Sequence, residues 1–307
     1  MTFSTGSITS ATPAQALLTA LDTALLAVTG WSKPTSLLVV GTNTWSVYKS
    51  AAANNSFGSD FYVAFGYVTA TGTILHMTVF EQWNSGSNLA TNFAPNSSQT
   101  PTATTWANPN AAAALPTTGT TIAFIDTPVL GASLFNYTVD VTADRIGFGM
   151  FANALECGYY LGLYDTFLPL ASDPFPLCCI QLGPNFGASA NAMTTAPLTL
   201  QGFTTREPLQ VTLSGNNFGA GCSGATGNTW TLTNAGGVEL YTGKIMLARV
   251  LIQGRAAGGY RGLLKDCYQG PGQTHAGDQM TWTINSVAHT ATRLGGVSST
   301  GIYMDNV

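Results

Sequence analysis

Apolar positions between residues 13 and 29 recur at helical spacing. Leu17, Leu21, Ala24 and Val28 form one stripe, widened by Leu18 and Leu25. Thr12 stands where an N-cap belongs, Pro13 takes the first helical position, and Gly30 ends the run. The period then changes to two. Residues 36–40 make an apolar run, 41–44 a turn, and 45–49 alternate like a strand. After a loop over 51–60, the aromatic strand 61–69 meets strand 74–82 across the hairpin connection 70–73. A helix whose stripe lies on a small antiparallel sheet is the expected amino-terminal unit, with Trp45, Phe61, Phe65 and Phe80 supplying apolar surface. Residues 1–10 are polar and read as an arm or an edge strand.

Periodicity fades over 84–119, where Asn, Ser, Thr, Pro and Ala dominate, so an extended polar loop that reaches a neighbour is expected there. Strand signals return at 121–125, 134–142, 145–150 and 159–164. They continue, between Gly-rich turns, at 177–182, 211–213, 229–233, 244–253 and 280–284. The fold class read from this pattern is α+β and predominantly antiparallel β. It comprises a helix plus sheet over 1–83, the loop over 84–119, and a β-rich, Gly-rich portion over 120–307, with one continuous domain as the alternative division.

Composition changes the picture in one respect. Apolar residues make up 45%, enough for a core, but charged residues make up only 8%, against about 25% in typical soluble domains. A surface of Ser, Thr, Asn and Gln is cheap to desolvate, because no ion must be stripped of water before a neighbour docks. Such a surface suits a subunit covered by partners. The net charge of −4 argues against nucleic-acid binding. The apolar stretch 14–28 has no Lys or Arg before it, is interrupted by Thr19, Asp22 and Thr23, and is too short to span a bilayer, so neither a signal peptide nor a membrane segment is expected.

Candidate chemistry is thin. Cys157, Cys178, Cys179, Cys222 and Cys267 are odd in number and form no C-x-x-C pair, so buried thiols are expected rather than a metal site, with a disulfide left open. His76 lies within a strand and is expected to pack. His275 and His289 are expected at a surface or interface. The glycines at 219, 221 and 224 match G-x-G-x-x-G formally, yet no helix follows, so the segment reads as a turn. Asp140 and Asp144 flank a turn ending at Arg145, and Asp126 stands alone. Arg249, Arg255, Arg261 and Lys265 form the basic cluster, interleaved with glycine, and are expected to pair across a subunit interface. No catalytic, cofactor-binding or metal-ligating residue is assigned, and no cofactor is expected.

Several stretches together resemble virion-associated structural proteins of tailed bacteriophages. They include the helix start at Thr12 and Pro13, then Gly30 and Trp31, and the strand ending in Lys49 and Ser50. The loop core Ser56, Phe57 and Gly58 stands ahead of the aromatic residues Phe61 and Tyr62. The run Tyr159, Tyr160, Leu161, Gly162, Leu163, Tyr164 and Asp165, followed by Asp173 and Pro174, fits the same group, as does Arg261 with Gly262. The adjacent cysteines Cys178 and Cys179 depart from it. The resemblance implies a non-enzymatic neck, collar or tail component, located in the virion and assembled in the host cytoplasm. Its implied partners are further copies in a homo-oligomeric ring and neighbouring tail or capsid proteins. A capsid decoration protein, or a tail-tip host-contacting module or hydrolase, is the alternative.

Overall fold

The computed structural model describes residues 1–93, 112–117, 122, 124–127, 130–131, 134–152, 155–167, 176–182, 201–204, 208–212, 248–254, 260–271, 277–284, 286–297 and 300–306. Within them the chain is mostly antiparallel sheet with one helix. In chain order the elements are β1 (Thr2–Ile8), α1 (Pro13–Leu26), β2 (Trp31–Val40), β3 (Asn43–Ser50), β4 (Phe61–Val68), β5 (Leu75–Asn84), β6 (Leu89–Phe93), β7 (Ala113–Ala114), β8 (Ile125–Asp126), β9 (Phe135–Val141) and β10 (Arg145–Ala152). There follow β11 (Leu155–Thr166), β12 (Leu177–Leu182), β13 (Gln201–Thr204), β14 (Pro208–Thr212), β15 (Ala248–Gly254), β16 (Tyr260–Pro271), β17 (Gln279–Ile284), β18 (Val287–Val297) and β19 (Thr300–Asp305).

Two curled sheets result. The smaller runs β2-β3-β4-β5-β6-β7, with β8 attached to β5. The larger runs β1-β9-β10-β11-β12-β13-β14-β15-β16-β19-β18-β17, and β11 also pairs with β16. That extra pairing closes the path from β11 to β16 into a small barrel. Beyond it, β18 folds back over β10 and β11. Gly149 permits this, because a Cβ there would collide with the backbone carbonyl of Leu294 on β18.

Alternation sorts side chains between cores on opposite faces of each sheet. Phe61, Val63, Phe65 and Tyr67 of β4 and Leu75, Met77 and Val79 of β5 meet Val139, Ile146, Phe148, Tyr159 and Leu161 of the larger sheet in the main core. The opposite face of the smaller sheet gathers Trp45, Val47, Phe80, Phe93 and Leu115 in a second core, over which the segment carrying Pro116 passes. Its carbonyl accepts from the Trp45 indole (3.1 Å) and from Asn43 Nδ2 (3.3 Å). Tyr160, Cys178, Ile180, Ile252, Leu264 and Met304 form the third.

The helix differs from expectation in position. β1 precedes it and pairs with β9 of the larger sheet, so residues 1–10 supply an edge strand. Leu17, Leu18, Leu21, Ala24 and Leu25 are buried, and they share the main core with side chains of both sheets rather than of residues 36–82 alone. Thr12 occupies the N-cap position without a side-chain cap; the Ala14 amide instead donates to the Gly72 carbonyl (2.8 Å). Leu26 ends the helix three residues before Thr29, and Gly30, with φ 104°, redirects the chain into β2. Within 84–119, β6 and β7 are strands, while 94–111 and 118–119 lie outside the described residues. So do the expected turn at 219–224, the expected strand 229–233, Cys222 and His275.

Candidate functional site

The β9–β10 turn, residues 142–144, is where the two sheets are fastened. From the smaller sheet, the Trp31 indole donates to the Thr142 carbonyl (2.7 Å), the Ser50 hydroxyl to the Ala143 carbonyl (2.6 Å) and the Ser56 amide to Asp144 Oδ1 (2.6 Å). Ser56 can reach because Asn55 ties its own loop together. Asn55 Oδ1 accepts from the amides of Phe57 (3.1 Å) and Gly58 (2.9 Å), and its nitrogen donates to the Ser59 carbonyl (2.9 Å). From the larger sheet, Lys265 of β16 donates to Asp144 Oδ2 (2.8 Å) and to the Ser56 hydroxyl (2.6 Å), with Asp165 at 3.8 Å.

Directly after the turn stands Arg145, wholly buried. Its Nε donates to Asp266 (3.0 Å), its Nη2 to the Asp305 carbonyl (2.8 Å), and its Nη1 lies 3.3 Å from Asp140 and against the Met304 sulfur. One guanidinium thus joins β9, β16 and β19. Burial alone would lower its pKa, but Asp140 and Asp266 outweigh burial and leave it raised. Burial holds the Asp140 carboxyl above the usual range, and Arg145 offsets this only in part. Asp144 goes the other way: although burial would raise it, Lys265 and the Ser56 amide hold it below the usual range.

Two histidines meet carboxylates. His76 Nδ1 lies 2.5 Å from Asp126, its partner across β5 and β8, with its ring against Trp45 and Phe124. It is buried as expected, and the carboxylate is what sequence reasoning missed. An Asp–His pair is two members of a hydrolytic triad, and the third is a nucleophile on the other ring nitrogen. His76 Nε2 is buried and meets no partner among the described residues. His289 pairs with Asp305 (2.7 Å) and stacks on Trp282.

The basic cluster differs from its expectation. Arg249 donates to Asp165 (3.0 Å) and to the Leu264 carbonyl (3.3 Å) beside the Tyr268 ring, and Lys265 meets Asp144, so both pair inside the chain. Strand curvature brings β11, β15 and β16 together there, which spacing along the chain does not reveal. Arg261 lies in β16, and Arg255 is outside the described residues. Cys157, Cys178, Cys179 and Cys267 are buried thiols. Burial pushes the Cys267 thiol up to about 12, away from thiolate reactivity. Among the described residues no group of His, Cys, Asp and Glu could hold a metal ion. No family model matches the chain, and no curated protein matches it.

Proposed function

We propose that this chain is a structural subunit of a tailed-bacteriophage particle, a neck, collar or tail component that assembles into a symmetric ring. The observation that carries this reading is where the charges go. Lys33 meets Asp22 (2.9 Å), Lys49 meets Asp60 (2.5 Å), and Arg145, Arg249 and Lys265 meet carboxylates of the same chain. In a protein with so few ions, these pairings leave, among the described residues, Ser, Thr, Asn and apolar groups to face outward, Leu37, Val39, Leu134 and Val287 among them. A neutral surface docks at low desolvation cost. In the same reading α1 closes the amino-terminal unit against its sheet, and neighbouring virion proteins cover much of the rest.

The purified chain is expected to form a discrete closed oligomer by sedimentation velocity. Its stoichiometry should hold between roughly 0.1 and 1 M salt, over which the screening length falls from about 10 Å to about 3 Å. A monomer at every concentration would refute the ring, and dissociation at high salt would refute the neutral interface.

A further inference from the structure

We infer that β1 is the docking edge for a second copy of this chain, the two β1 strands pairing antiparallel about a two-fold axis. The inference rests on the assembly reading above and adds a two-fold contact beside the head-to-tail contacts that close a ring. β1 runs seven residues in unbroken register with β9, from Thr2 opposite Val141 to Ile8 opposite Phe135. It stands at one end of the larger sheet, so among the described residues its other side has no ladder partner. A row of strand N–H and C=O groups is satisfied best by another extended backbone, which fixes the occupant as a strand.

The smaller sheet guards its edges. β2 carries Pro34, which has no N–H to give, and Lys33. It also has two register shifts against β3, and Leu37 holds a φ of 53°. β7 is two residues long. β17, at the far end of the larger sheet, is also free of charge, proline and bulge but is the shorter edge at six residues, and Gly277 just ahead of it lies against Thr138 on β9. β1 has no charge, no proline and no bulge. An edge without such devices invites pairing.

Self-pairing needs no matching partner sequence, because an antiparallel strand pair about a two-fold axis is isologous. Centred on Thr5, it sets Thr5 against Thr5 of the second copy and opposes no like charges. Thr5 is exposed, and facing threonine side chains favour such a pair.

The test uses the full chain with Cys222→Ala, the other thiols being buried. Thr5→Lys should weaken self-association in sedimentation velocity by about tenfold or more, since like charges directly opposed across strands repel. Thermal melting should stay unchanged. Thr5→Cys should yield a covalent dimer with a short bismaleimide. An oligomer that Thr5→Lys does not weaken and that Thr5→Cys does not cross-link would overturn the β1 contact and leave the assembly reading standing. A wild-type chain that stays monomeric would overturn both.

Discussion

Replacing Arg145 by Met tests whether the buried charge network holds the two ends of the larger sheet together. The substitution keeps most of the side-chain length and removes the guanidinium. Asp140, wholly buried, then loses its cation, the Asp305 carbonyl loses a donor, and Asp266 loses its bond. Breaking a buried ion pair by removing one partner costs about 3–5 kcal/mol, chiefly for the charge left behind. Against a total stability of about 5–15 kcal/mol that is a large fraction. Lys265→Met removes an ammonium from a site whose side chain is 18% exposed, where water can hydrate the remaining carboxylates, and about 1–2 kcal/mol is expected. Adding Asp140→Asn to Arg145→Met removes the stranded anion and should recover about 0.5–3 kcal/mol as a coupling energy. Urea unfolding at pH 7, with the denaturant slope checked for constancy, reads the wild type, the single variants Arg145→Met, Asp140→Asn and Lys265→Met, and the double variant. If Arg145→Met costs no more than Lys265→Met, or if Asp140→Asn adds to the loss, the network is not held by charge and the reasoning fails.

Two further outcomes follow from the core and from titration. Leu21→Ala, at a fully buried position of α1, should cost about 2–5 kcal/mol in urea unfolding, whereas Thr23→Ala on the exposed face should cost roughly 0.5 kcal/mol or less. Asp144 and Asp60 sit below the usual carboxylate range because Lys265 and Lys49 outweigh burial, so their stabilisation is present above about pH 4 and is lost as pH falls through their folded values. Asp140 is raised and runs oppositely, its protonation easing folding. Urea midpoints should therefore fall between pH 5 and pH 3, and Asp144→Asn should flatten that fall.

Local features were legible in the sequence because their causes are local. The stripe from Leu17 to Leu25 and Pro13 at its start specify α1, since helical period and a fixed φ act within a few residues. The alternation over 61–69 and 74–82 specifies β4 and β5, and their hairpin follows from the short connection between them. The helix stop was read a turn too late. Val28 continues the apolar stripe, yet its amide bonds to the Leu25 carbonyl in a tighter turn before Gly30. Tertiary placement was not legible. That β1 pairs with β9, and so carries α1 between two sheets, depends on residues more than a hundred positions apart.

The same distinction explains the candidate site. Asp140, Asp144 and Arg145 stand together in sequence and read as an ordinary turn with charged flanks. Their partners Lys265, Asp266 and Asp305 arrive only after β11 has closed on β16 and β19 has been added beside it. His76 and Asp126 likewise meet only through β8, a two-residue strand with no periodic signature. In a chain with so few charges, composition could say that the surface is neutral. It could not say that several of the described ions pair within the chain, Arg145 and Asp140 fully buried. That inward pairing is what joins the fold to the proposed role: the carboxylates and cations that fasten one sheet to the other are the ones withdrawn from the faces a neighbour would cover.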